Sequence, residues 1–203
     1  MITLVDYGVG NLYSLQSSFA AIGEEVRVTG DPETVSASER IILPGVGAFG
    51  DAAEKLRRQG LDRALKEAAA AGTPLLGICL GMQLLFDKSL EYGEHAGLGL
   101  IPGTVRPIEE VIPAGYKIPH IGWNALHFER RDDPLFRDTP EGEWVYFVHS
   151  YYAADCGDAC IATAEYGYPL TAAVGSGNVW GCQFHPEKSG KAGLRILKCF
   201  CRL

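Results

Sequence analysis

Short apolar runs alternate with helix-patterned segments from the N-terminus to Cys79, and this alternation constrains the fold more than any other feature. Ile2 to Tyr7, Glu25 to Thr29, Arg40 to Leu43 and Pro74 to Ile78 read as strands, with Asn11 to Ile22 and Ala52 to Ala71 as helices. Strands that are apolar at almost every position belong to sheets covered on both faces. In the longer helix Leu56, Leu61 and Leu65 are the candidate core contacts, and Gly72 marks its end. The pattern predicts an α/β fold with a central sheet, mixed but mostly parallel, and helices on both faces. In such a sheet a ligand site lies at the carboxyl ends of the strands.

After Leu98 the texture shifts to short strands and turns. Trp144 to Val148, Ile161 to Tyr166, Thr171 to Val174 and Val179 to Phe184 read as strands, with Gly175-Ser-Gly-Asn178 as a hairpin turn between the last two. A closing helix from Lys191 to Phe200 would turn Leu194 and Leu197 to the core. A chain of 203 residues with 47% hydrophobic content fills one domain, taken as 1–203, rather than two.

The net charge of -7 argues against nucleic acid or an anionic membrane surface as the main partner. The N-terminal run has no basic region before Asp6, and no apolar stretch is long enough to span a bilayer, so a cytoplasmic protein is expected. The 6 cysteines lack the paired spacing of a zinc site and read as reduced thiols. No metal or cofactor is expected.

Three motifs carry chemistry. In Gly77-Ile-Cys-Leu-Gly81, two glycines flank a cysteine at a strand-to-helix junction, where a sharp turn lifts a nucleophile above the sheet. A thiol at a helix N-terminus is also favoured as thiolate by the backbone dipole. Taken alone, the pentapeptide fits a buried structural cysteine equally well. In Gln183-Phe-His-Pro-Glu187, Pro186 biases His185 to an extended conformation, from which His185 and Glu187 project to one side. A carboxylate that orients an imidazole, which in turn takes the thiol proton, is the triad arrangement with cysteine as nucleophile. Without the cysteine, His-Pro-Glu is an ordinary turn sequence. In the loop Pro44-Gly-Val-Gly-Ala-Phe-Gly50, glycine can turn a peptide N–H toward a developing oxyanion, with the Leu80 N–H as the second donor. Phosphate binding is the rival reading, but the G-K-[ST] pattern is missing.

Gly77-Ile-Cys-Leu-Gly-Met-Gln83, the downstream Phe184-His-Pro-Glu187 and the upstream Pro44-Gly-Val-Gly47 together resemble the class I (triad-type) glutamine amidotransferases, in the same Cys, His, Glu order. The resemblance covers nearly the whole chain, and Gly10-Asn-Leu12, Ile121-Gly-Trp-Asn124 and Lys188 resemble one subgroup. That subgroup feeds ammonia to a (β/α)8-barrel cyclase that makes imidazole glycerol phosphate and an aminoimidazole carboxamide ribotide in histidine biosynthesis. The resemblance implies a flavodoxin-like core, a glutaminase forming a glutamyl thioester on Cys79, and a heterodimer with the cyclase. It also implies that Val46, Gly47 and Leu80 surround the oxyanion. Gly47, Gln83, Ser150 and Tyr151 would hold glutamine, while Asn11 and Lys188 would lie near the partner. His120, His127 and His149 read as structural histidines.

Two other classes share these residues. A stand-alone cysteine hydrolase such as a peptidase would use the same triad, but Gln83 and the partner-facing segments argue against it. A non-catalytic flavodoxin-like binding module would not need Cys79, His185 and Glu187 in triad order.

Overall fold

A computed structural model describes residues 1–203. The first half of the chain runs β1 (Ile2–Val5), α1 (Leu12–Ala21), β2 (Val26–Thr29), α2 (Pro32–Ser36), β3 (Arg40–Leu43), α3 (Phe49–Arg58), α4 (Leu61–Ala70), β4 (Leu75–Ile78) and α5 (Leu80–Gln83). Local chemistry sets the helix starts: Asn11 caps α1 by accepting from the Ser14 N–H at 3.3 Å. Asp31 caps α2 by accepting from Thr34 N–H at 2.9 Å, with Pro32 in the first turn.

The single helix expected from Ala52 to Ala71 is two. Gly60 takes a left-handed conformation at φ 71°, which ends α3 and opens α4. Leu56, Leu61 and Leu65 are all buried, and the break allows this: Leu56 and Leu61 are five apart, out of phase on one continuous helix.

The second half runs β5 (Phe86–Ser89), β6 (His95–Ala96), β7 (Ile101–Pro107), β8 (His120–Ala125), β9 (His127–Phe128), β10 (Trp144–His149), β11 (Tyr151–Ala154), β12 (Cys160–Glu165), β13 (Pro169–Ser176), β14 (Val179–Cys182) and α6 (Gly190–Phe200). The main sheet has 8 strands in the order β2-β1-β3-β4-β14-β13-β12-β9. It is parallel from β2 to β14 and antiparallel beyond. Two smaller sheets, β11-β7-β5-β6 and the ribbon β10-β8, stand beside it.

Side chains along the central strands alternate between two apolar layers. Ile41 and Leu43 of β3 pack with Leu56 and Leu65 of α3 and α4, whereas Ile42 between them packs with Phe19 of α1 and Ile196 of α6. Helices therefore cover both faces, and this is why the strands read as unbroken apolar runs. In α6 the expectation is half met: Leu197 is fully buried but Leu194 only half-buried, and Ile196 and Phe200 complete the buried face. Spacings of three and four place Gly193, Ile196, Leu197 and Phe200 on one side and leave Leu194 at its margin.

The pairing that matters most joins β14 to β4 in parallel, with Gly181 opposite Gly77 and Cys182 opposite Ile78. Sequence segments about a hundred residues apart thus end side by side, and both chemical motifs leave the middle of the sheet at the carboxyl ends of these two strands.

Candidate active site

Cys79 follows β4 directly and holds φ 55°, ψ -112°, a conformation that a residue with a Cβ enters at a cost of about 1–3 kcal/mol. Its surroundings enforce the turn. A Cβ on Gly81 would sit 1.8 Å from the Leu43 carbonyl oxygen, and one on Gly77 would sit 2.6 Å from the Gly81 oxygen. Both flanking positions must therefore be glycine for β3, β4 and the turn to pack. The Cys79 N–H donates to the Cys182 oxygen at 2.7 Å, which ties the turn to β14. Helix α5 is only 4 residues long, so the backbone dipole acting on Cys79 is smaller than the motif suggests. The larger positive charge beside the sulphur belongs to His185.

His185 Nδ1 lies 2.8 Å from Glu187 Oε1, and both side chains are buried. Glu187 Oε2 has no hydrogen-bond partner, so the imidazole is what answers the carboxylate. The route to this pairing differs from the extended segment expected. His185 itself is extended, but Pro186–Lys188 forms a 3-10 turn, and the turn folds Glu187 back onto the ring. Ser189 Oγ holds the turn by donating to the His185 carbonyl at 2.6 Å while accepting from the Tyr146 N–H at 3.0 Å. Burial works against a charged His185, but hydrogen bonds to Cys79 and Glu187 outweigh it and push the imidazole up to about 9.

Cys79 and His185 open into a cleft of about 590 Å³. Val46, Gly47 and Leu80 line it beside the sulphur, with Gly47 at φ 95°. Gln83, Ser150, Tyr151 and Lys188 line it as well. Glu187 stands behind His185, and Asn11 caps α1 outside the cleft. Lys188 is exposed, with Nζ 5.7 Å from the centre of the Tyr146 ring.

Sequence reasoning gave no role to four residues that shape the site. Tyr7 donates its hydroxyl to the Pro44 oxygen at 2.7 Å and pins the start of the glycine loop; burial, then the nearby Cys79, hold its phenol well above the usual range. Glu91 accepts from the Phe49 N–H at 2.6 Å and pins the loop's other end. Gln183 and His149 are buried beside Cys79 and His185. Gln183 opens the His-Pro-Glu motif and Tyr7 ends the first predicted strand, signals available in the sequence, whereas Glu91 sits in a turn with no local pattern. His120 and His149 bond to each other at 3.1 Å, while His127 lies at the surface beside Glu141. Nowhere do three or more His, Cys, Asp or Glu side chains gather as metal ligands.

The sequence matches the family "Glutamine amidotransferase class-I" over residues 3–202. The chain belongs to this family. Among its relatives, the imidazole glycerol phosphate synthase subunit HisH of Wolinella succinogenes is 46% identical, with 100% of both chains covered. The subunit of the same name from Gloeobacter violaceus is 50% identical over 98% of this chain and 88% of its own. In three dimensions the chain is similar to a crystal structure of a glutamine amidotransferase, at TM-score 0.77 and 18% identity over 100% of this chain and 98% of the other. PurLQS from Thermotoga maritima gives TM-score 0.77 at 22% identity, covering 99% and 97%. At that identity the likeness speaks for the α/β fold. Membership makes the chain a glutamine amidotransferase enzyme.

Proposed function

We propose that this amidotransferase is the glutaminase subunit of a cytoplasmic imidazole glycerol phosphate synthase, with Cys79 as nucleophile. One observation carries the site assignment: Cys79, on a strained turn, and the buried His185–Glu187 pair meet at the carboxyl ends of adjacent strands. The Cys79 thiolate attacks the side-chain carbonyl carbon of glutamine, and the oxyanion forms beside the Val46–Gly47 and Leu80 backbone. The His185 imidazolium gives its proton to the departing nitrogen, so ammonia leaves and a thioester remains. Neutral His185 then takes a proton from water, which attacks the thioester; glutamate departs and the thiolate–imidazolium pair is restored. Glu187 holds the ring in the tautomer this requires. Gln83, Ser150 and Tyr151 border the space for the amino-acid end of the substrate.

Ammonia in neutral water is mostly protonated and not nucleophilic, so its value depends on delivery through a dry passage. A face suited to a partner lies next to the cleft. Ile121 and Trp123 of β8 and Trp144 of β10 are 58%, 50% and 56% exposed on one side of the ribbon, with Tyr146 opposite Trp123. Lys188 caps that aromatic face, and α1, capped by Asn11, packs against the Lys188 turn. An uncovered apolar face of this kind marks a protein interface; the relatives are named as subunits of a synthase, and a (β/α)8-barrel cyclase is the partner that the motif resemblance implies.

The test is Cys79→Ala in the chain joined to that cyclase. Synthesis from glutamine is lost, while synthesis from added ammonium salts continues at the wild-type rate. Glutamine-dependent synthesis in the variant would sink the assignment of Cys79, and turnover of small peptides by the wild type would favour a general cysteine hydrolase.

A further inference from the structure

The Tyr151 carbonyl oxygen accepts two partly buried hydrogen bonds, from His149 Nδ1 at 2.8 Å and from Gln83 Nε2 at 3.1 Å. A carbonyl can only accept, and this fixes the direction of every bond that follows. Gln83 must present its NH2 group, which also donates to Gln183 Oε1 at 3.0 Å. Gln183 must then present its oxygen to Gln83 and its own NH2 to the sulphur, and Gln183 Nε2 does donate to Cys79 Sγ at 3.8 Å. In the other direction, His149 Nε2 must accept, so His120 Nδ1 donates to it. Gln183 is fully buried, leaves the end of β14, and has its backbone N–H tied to Ala172 at 2.8 Å.

We infer that Gln183 is a positioning residue for the nucleophile: its amide N–H holds the Cys79 sulphur toward the substrate, and the Gln83–Tyr151 carbonyl chain locks that amide against rotation. The inference rests on Cys79 being the nucleophile. A donor to sulphur favours the anionic form and costs no reorganisation, because the amide is already aimed. It also leaves Gln83 with a second task besides bordering the substrate space, since its NH2 sets the direction of the whole chain.

The test uses Gln183→Leu, which removes the donor, and the isosteric Gln183→Glu, which replaces it with an acceptor. The first readout is iodoacetamide labelling of Cys79 as a function of pH, mapped by peptide mass spectrometry. The second is glutamine turnover in the assembled complex. The other titratable groups that face the sulphur, His185 and Tyr7, are unchanged in both variants. The expected result is a labelling profile displaced to higher pH, with kcat for glutamine down about 10- to 100-fold and KM within about threefold of wild type. A folded variant with the wild-type labelling profile would overturn the inference, as would a loss carried by KM alone. Failure of both variants to fold would make Gln183 structural and overturn it too. If instead Cys79→Ala still hydrolyses glutamine, the assignment of Cys79 as nucleophile falls, whereas the labelling readout, which needs no glutamine, tests the contact between Gln183 and the sulphur by itself.

Discussion

Two buried imidazoles line one cleft and hold their protons with opposite strength. At His185 burial opposes the charge, yet the bonds to Cys79 and Glu187 raise it to about 9. At His149 burial dominates and lowers it to about 3, with His120 and His185 adding repulsion. The difference lies in the partners of the two rings: the Cys79 sulphur is the larger influence on His185, and the two Nδ1 atoms differ as well. A carboxylate answers His185, whereas His149 meets the neutral Tyr151 carbonyl and has a second histidine on its other nitrogen. Burial alone therefore does not decide the charge of an imidazole; the bonds it makes do, at His185 first to the Cys79 sulphur and then to the Glu187 carboxylate. One histidine is equipped to carry a proton between thiol and substrate, and the other to stay neutral and aim the groups around it.

Breaking the carboxylate side of this comparison has the largest expected effect. Glu187→Gln keeps the shape but removes the charge, and glutamine turnover should fall about a thousandfold or more while synthesis from ammonia is unaffected. In the wild type, turnover should decline as pH rises through about 9, where His185 loses the proton that the leaving nitrogen needs. In Glu187→Gln that alkaline limb should move to lower pH. A variant with the wild-type limb would show that Glu187 does not set the charge of His185.

The same pair has a smaller signature in stability. His185 is raised above its unfolded value of 6.5, so its contribution is fully present below 6.5 and is lost as pH rises through about 9. Urea unfolding of the wild type should lose about 3 kcal/mol across that window, and Glu187→Gln should lose less. Equal losses in both proteins would place the alkaline sensitivity elsewhere.

The contrast between the two histidines also marks where the sequence stops being legible. Cys79, His185 and Glu187 can be read because their relationships are local: glycines two positions either side of the cysteine, a carboxylate two positions after the histidine. That the two motifs meet depends on β4 pairing with β14, a long-range choice that sequence patterning does not reveal. The main strands were readable because both faces are buried. β5, β6, β8 and β9 were not, being short and half-exposed or rich in glycine and polar residues, and β11, though largely buried, is too short at 4 residues to show a pattern. The role of His149 was hidden for another reason. Its direction is set by the carbonyl of Tyr151, and a backbone oxygen carries no residue signature. Gly60 shows the same limit on a small scale, since a lone glycine in a helical pattern does not announce whether it will be tolerated or will end the helix.

The smallest effect sharpens the neutral side. His149 is lowered from 6.5, so its folded form resists a proton that the unfolded chain accepts. Its contribution to stability is therefore present above 6.5 and is lost as pH falls from there toward about 3. His120, lowered by burial to about 4, acts in the same direction. In His149→Gln the amide NH2 can still serve the Tyr151 carbonyl and the amide oxygen can still accept from His120, but nothing at that position titrates. Between about pH 7 and about pH 5.5 the variant should lose about 1 kcal/mol less in urea unfolding than the wild type, with the remaining slope belonging to His120 and the carboxylates. An unchanged slope would mean that His149 does not titrate between the folded and unfolded chains, and the opposition between the two imidazoles would rest on His185 alone.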